Sequence, residues 1–173
     1  MAPLTYGPDT STQKSRVMNS WLVRSKRTHS APFLSRPTKQ GPRVLVVDDH
    51  HDCADGLALL LQLWGYDVRV AYGASKAVRI TATWTPDLAM LDLAMPQTDG
   101  FALAKFLKGM AGLERLVLMA VTGLTENKHR ERAQEVGFEH YFLKPCDLSA
   151  LHAAMDHAAR RTADQSGRRP KSG

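Results

Sequence analysis

The chain has 173 residues, 43% of them apolar and 23% charged, which suits one globular core with extensions better than two full domains. Its two cysteines, Cys53 and Cys146, exclude a disulfide scaffold and a cysteine metal site, and they suit a reducing cytosol. No apolar run is long enough to span a bilayer, so no membrane contact is expected.

The net charge of +6 is unevenly placed. Residues 1–42 carry seven Lys/Arg and one Asp, residues 158–173 carry five and one, and the stretch between carries eleven against fifteen Asp/Glu. An acidic globule therefore lies between two basic arms, and any polyanion would meet the arms.

Residues 1–42 are rich in Ser, Thr, Pro and Lys/Arg without a sustained apolar period, and they read as a disordered basic extension. Trp21-Leu22-Val23 is their one apolar cluster, a candidate docking segment. Met18 is an alternative start, and an organellar transit peptide is a minor alternative for this Ser/Arg-rich arm. Secretion is not expected, because the first residues lack a continuous apolar run and a small-residue cleavage site.

At Arg43 the texture changes. Val44-Leu45-Val46-Val47 is a continuous apolar run, as expected of a strand buried on both faces of a parallel sheet, and it ends at Asp48-Asp49. Asp52 is placed to cap a helix carrying Leu57, Leu60, Leu61 and Trp64, which Gly65 ends. A second strand is expected over Asp67–Tyr72 and a second helix over Ala74–Trp84. Leu88–Asp92 is the third strand, and Met95-Pro96 and Asp99-Gly100 lead into a helix ending near Lys108. The fourth strand runs from Leu116 to Val121 and delivers Thr122-Gly123. A charged helix over Glu126–Val136 stops at Gly137, His140–Leu143 forms the fifth strand, and Lys144-Pro145 follows. A last helix spans Leu148–Arg161, with Leu148, Leu151, Met155 and Ala159 on one stripe.

Five strands alternating with five helices imply right-handed crossovers and an α/β parallel sheet covered on both faces. Ligands of such sheets sit outside the carboxyl ends of the strands. Asp48, Asp49, Asp92, Thr122 and Lys144 all fall at those ends.

The first strand-to-helix turn is Asp-Asp-His-His-Asp, without the glycines that let backbone amides approach phosphate, so it disfavours a nucleotide. Clustered carboxylates repel one another unless a hard cation joins them, and oxygen ligands suit Mg²⁺. Lys144 adds a positive charge and Thr122 a hydroxyl donor. Together these groups suit a phosphoryl group, with an Asp as a candidate acceptor.

Leu45-Val46-Val47-Asp48-Asp49, Asp92 with Met95-Pro96 and Asp99-Gly100, Val121-Thr122-Gly123, and Tyr141 with Lys144-Pro145 occur in this order. Over about residues 43–157 the chain resembles the receiver domain of bacterial two-component response regulators. The resemblance implies a flavodoxin-like sheet of order 2-1-3-4-5 and a cis Lys144-Pro145 bond. It implies that Asp92 accepts phosphate from a histidine kinase or a histidine phosphotransfer protein, in a phosphorelay. Asp48, Asp49, Asp92 and the backbone carbonyl of Ala94 would hold Mg²⁺. Lys144 would pair with the carboxylate, Thr122 would move to the phosphoryl oxygen, and Tyr141 would swing inward behind it. The switched surface would be the fourth helix, fifth strand and fifth helix.

The expected organisation is a basic extension over 1–42, a receiver over 43–157 and a basic tail over 158–173. It describes a stand-alone cytoplasmic switch rather than an enzyme, with self-catalysed phosphoryl acceptance and slow aspartyl-phosphate hydrolysis. Thr98 stands where this family usually has Met or Leu, and Ala94 and Leu124 flank the expected phosphate. His50 and His51 read as solvated loop residues rather than transition-metal ligands, and Cys53 and Cys146 as ordinary thiols near the active edge. The charged face of Glu126–Glu135 is either a solvated surface or part of the switch. Nucleic-acid binding by the arms is disfavoured, because no recognition motif accompanies them. Two competing functions are a scaffold that signals without phosphorylation and a Mg²⁺-dependent phosphohydrolase. The complete acidic set with Thr122 and Lys144 argues against the first, and the lack of chain for a substrate cap argues against the second.

Overall fold

Val44, Leu45, Val46 and Val47 are at most 1% exposed, and they form the centre of the sheet in a computed structural model that describes residues 41–96 and 98–166. Met18, the Trp21-Leu22-Val23 cluster and the proposed N-terminal docking role lie outside the described residues. The elements alternate strictly: β1 (Arg43–Val47), α1 (His51–Leu63), β2 (Asp67–Ala71), α2 (Ala74–Thr81), β3 (Leu88–Leu91), α3 (Gly100–Lys108), β4 (Val117–Thr122), α4 (Asn127–Val136), β5 (Phe138–Leu143) and α5 (Leu148–Ser166). The five strands are parallel in the order β2-β1-β3-β4-β5, the flavodoxin-like arrangement.

Strand periodicity divides the core into two layers. Leu45, Val47, Ala89, Leu91, Leu118 and Ala120 point to the face covered by α2, α3 and α4, where they meet Ala77, Phe101, Leu107 and Ala133. Val44, Val46, Leu88, Met90, Val117 and Met119 point to the opposite face, against Ala54 and Leu61 of α1 and Leu151 and Met155 of α5. Each large apolar side chain removed from water in this way contributes about 1.5–3 kcal/mol before chain entropy is set against it. Two covered faces leave the strand ends as the exposed part of the sheet's interior, and the polar residues collect there.

Several boundaries differ from the expectations, each for a local reason. Asp52 does not cap α1: His50 occupies the N-cap position, without a side-chain cap bond, and Asp52 lies in the first turn. The His50 amide is already engaged by Asp48 Oδ1 at 2.9 Å, which turns the chain into the helix earlier. Asp52 still suits the helix's positive N-terminal end. The second helix stops at Thr81 rather than Trp84. The Thr81 hydroxyl donates to the carbonyls of Ala77 and Val78, and Trp84 turns into the core at 5% exposure. β5 begins at Phe138, because Gly137 takes the left-handed conformation (φ 95°) and returns the chain to the sheet at once. α5 continues past Arg161 to Ser166, with Ala158 and Thr162 still buried against the body of the protein.

Candidate active edge at the carboxyl ends of the strands

Parallel pairing brings the ends of β1, β3, β4 and β5 to one rim. Asp48 follows β1 and Asp92 follows β3; the amide of Asp92 donates to the Val47 carbonyl at 2.8 Å, continuing the ladder one step beyond the strand. Thr122 ends β4 and is fully buried. The Lys144 amide donates to the Thr122 carbonyl at 2.9 Å, and the Lys144-Pro145 peptide is cis.

Lys144 joins the two halves of the rim. Its Nζ donates to Asp48 Oδ2 at 2.7 Å and to Asp92 Oδ2 at 2.8 Å. The two carboxylate side chains are only 8% and 7% exposed, so this ammonium offsets much of the cost of holding two negative charges out of water. The remaining oxygens are held by backbone donors: the His50 amide meets Asp48 Oδ1 at 2.9 Å, and the Ala94 amide meets Asp92 Oδ1 at 2.8 Å. Burial pushes the Asp92 carboxyl up, but the Lys144 bond, the Ala94 amide, the Lys144 charge and the Thr122 hydroxyl together hold it below its ordinary value. Burial pulls the Lys144 ammonium down, and its bonds to Asp48 and Asp92 outweigh that and raise it. Asp92 is therefore an anion at neutral pH.

Asp49 stands apart. Its Oδ1 is buried and has no hydrogen-bond partner, an arrangement that costs free energy as it stands. One ligand atom from each of Asp48, Asp49 and His50 lies within 4.8 Å of the others. An oxygen-rich donor set with one unsatisfied buried oxygen fits a divalent cation such as Mg²⁺.

Tyr141 lies behind Thr122, with Thr122 paired to Leu143 and Ala120 paired to Tyr141 across the β4–β5 ladder. Its ring is half-buried against the α2–α4 layer, and its hydroxyl donates to the Leu124 carbonyl at 2.8 Å. The Arg130 guanidinium of α4 sits 5.0 Å from the ring centroid. Burial pushes the Tyr141 phenol up; the positive charge of Arg130 opposes this and the negative charge of Asp92 adds to it.

Two residues matter more to this rim than their sequence signal suggests. Asp99 caps α3 by accepting the Phe101 amide at 2.9 Å, and it also pairs with Arg132 of α4 at 2.6 Å. Gly100 is required by close approach. A Cβ there would lie 2.4 Å from the Asp92 carbonyl oxygen and 2.8 Å from Leu93 Cα. The Asp-Gly pair reads locally as a turn, but what it does is seat α3 directly on the Asp92 backbone. Cys53 is exposed and Cys146 partly buried; burial raises the Cys146 thiol while the nearby Lys144 charge opposes this, so a neutral thiol is the favoured form.

Residues 44–156 match the family described as the response regulator receiver domain. The chain is 30% identical over 121 residues to the DNA-binding dual master transcriptional regulator RpaA of Synechocystis, covering 70% of this chain and 50% of the relative. It is 32% identical over 120 residues to the response regulator MprA of Mycobacterium tuberculosis, covering 69% and 51%. The chain thus spans about half the length of these curated relatives. Among solved structures, a response regulator receiver protein from Pseudomonas putida superposes with a TM-score of 0.64 at 28% identity, covering 69% of this chain and 98% of that one. A CheY-like receiver domain from Methanospirillum hungatei superposes with a TM-score of 0.66 at 21% identity, covering 72% and 98%, and that likeness speaks for the fold. Receiver domains of this kind are signalling modules rather than classical enzymes. The chain belongs to the response regulator receiver domain family.

Proposed function

We propose that the chain is a phospho-accepting receiver in a two-component phosphorelay, with Asp92 as the acceptor. The observation that carries this reading is Lys144, whose one ammonium is shared by the two buried carboxylates Asp48 and Asp92 beside the unsatisfied Asp49 Oδ1. A core gains nothing from three carboxylates and one lysine in one place, whereas a phosphoryl group needs a carboxylate nucleophile within a positive frame.

The donor would be a phosphohistidine of a kinase or phosphotransfer protein. An oxygen of Asp92 forms a bond to phosphorus as the donor's P–N bond breaks, and the electron pair stays on the imidazole nitrogen. Lys144, released in part from Asp92, faces the added negative charge, and the Thr122 hydroxyl donates to a phosphoryl oxygen. Asp49, Asp48, Asp92 and the Ala94 carbonyl would hold Mg²⁺, which when bound neutralises phosphoryl charge. Movement of Thr122 would free space that Tyr141 follows into, changing the surface made by α4, β5 and α5. That surface is where a downstream protein would read the signal. In this reading the receiver unit is 43–157, its last helix runs on into the basic segment that starts at 158, residues 1–42 are a basic extension, and the setting is the cytoplasm.

Intact-mass analysis tests the proposal, with the full chain incubated with Mg²⁺ and a small phosphodonor beside Asp92→Asn. One added phosphoryl group is expected in the unsubstituted chain, and none is expected to form when EDTA is present from the start or in the substituted chain. No adduct at short times and low temperature would turn the reading toward a scaffold that signals without phosphate.

A further inference from the structure

The two histidines of the first loop look equivalent in sequence, and the structure separates them. The His51 ring stacks on Tyr72, with centroids 3.9 Å apart and planes 21° from parallel, and the Tyr72 hydroxyl is itself anchored by Asp55 at 2.8 Å. His51 is therefore committed to the junction of α1 with the end of β2. His50 faces the carboxylates instead. Its amide is held by Asp48 Oδ1, and its Nδ1 lies 3.7 Å from Asp49 Oδ1, the buried oxygen that has no hydrogen-bond partner. The imidazole is otherwise largely in solvent, so a modest rotation meets little steric resistance.

We propose that His50 is a nitrogen ligand of the divalent-cation site. The site is then a mixed oxygen–nitrogen centre that prefers later first-row transition ions to Mg²⁺. The inference rests on the acidic cation site proposed above and adds one residue of this chain to it. Its basis is the clustering of one ligand atom each from Asp48, Asp49 and His50 within 4.8 Å. Carboxylate oxygens alone do little to separate Mg²⁺ from other hard ions. An imidazole strengthens binding along the series from Mn²⁺ to Ni²⁺ and Cu²⁺, and also for Zn²⁺, while adding little for Mg²⁺. The backbone arrangement helps, because the His50 amide bond to Asp48 fixes the start of the side chain beside the two carboxylates before any ion arrives.

The test is calorimetric titration of the full chain with Mg²⁺, Mn²⁺ and Ni²⁺, beside His50→Gln, His51→Gln and Asp49→Asn. Expected is Ni²⁺ binding at least about tenfold tighter than Mg²⁺, a loss of about tenfold or more for Ni²⁺ in His50→Gln, and Mg²⁺ affinity there within about twofold of the original. His51→Gln should leave both ions unchanged, and Asp49→Asn should weaken both. Pulsed EPR of the Mn²⁺-loaded protein should show an imidazole-nitrogen coupling that His50→Gln removes. Unchanged Ni²⁺ affinity in His50→Gln would overturn the proposal, as would Ni²⁺ binding that survives Asp49→Asn, since the ion would then sit elsewhere. Absence of Mg²⁺ binding altogether would instead count against the acidic site itself. The two failures are thus distinguishable.

Discussion

Lys144 and Arg132 both tie distant elements together through carboxylates, and they do so in different surroundings. The Lys144 side chain is 27% exposed and meets partners that are 8% and 7% exposed. Arg132 is 49% exposed and meets Asp99, which is 42% exposed, at a similar distance of 2.6 Å. Distance alone would rank the two alike. Desolvation separates them, because an ion pair in water gains little while a buried carboxylate left alone is expensive. The Lys144 cluster also holds more negative charge than it neutralises, with Asp49 beside it. The donor set of such a cluster suits cation binding better than structural bracing.

The sharpest way to break this comparison is to remove both cations in turn. Lys144→Met is expected to lower stability by about 3 kcal/mol at neutral pH, because Asp48 and Asp92 remain buried without their common partner. Denaturant unfolding measures it, and a loss below about 1 kcal/mol would put Lys144 in the same class as an exposed pair.

Gly100→Ala comes next, at about 2 kcal/mol or more. The added methyl meets backbone atoms of Asp92 and Leu93 that cannot yield without moving the acceptor. If the substitution is neutral in stability and in phosphoryl acceptance, α3 does not hold the Asp92 segment in place.

The pH dependence of stability sharpens the same contrast. The Asp92 carboxyl is held down in the folded protein, so its contribution is present above the unfolded value and is lost as pH falls through the lower folded value. The Lys144 ammonium is held up, so its contribution is complete below the unfolded value and is lost as pH rises through the higher folded one. The cluster should therefore stabilise between about pH 4 and pH 10, and Lys144→Met should flatten both limbs of the curve.

Asp49→Asn is expected to act in the opposite direction in the absence of divalent ions. Removing a charge that has neighbours of like sign and no hydrogen bond at Oδ1 should raise stability by about 1 kcal/mol. A loss of stability would mean that Asp49 contributes to the fold as well as to the site. Arg132→Ala should be the smallest effect, below about 1 kcal/mol, even though the guanidinium also lies over the Phe101 ring at 4.2 Å. A larger loss would place the α3–α4 contact among the structural braces.

Much of this molecule can be read before it folds, because much of it depends on neighbours in the chain. Continuous apolar runs specify strands covered on both faces, and alternation with helices specifies parallel crossovers. Those two facts bring Asp48, Asp92, Thr122 and Lys144 to one rim. Local competition was harder to read. The capping expectation for Asp52 failed because the helix begins at His51, which places Asp52 inside the first turn, and the second helix ends at Thr81 with Trp84 buried beyond it.

What only the tertiary structure decided is the division of roles among like residues. Lys144 chooses Asp48 and Asp92 rather than Asp49, across separations of 96 and 52 residues. His51 stacks on Tyr72 while His50 turns to the acidic cluster. Gly100 matters because α3 lands on the Asp92 backbone. Charge type and element type belong to short stretches of sequence, but which oxygen meets which proton depends on angles and distances between strand ends, and these exist only once the sheet has formed.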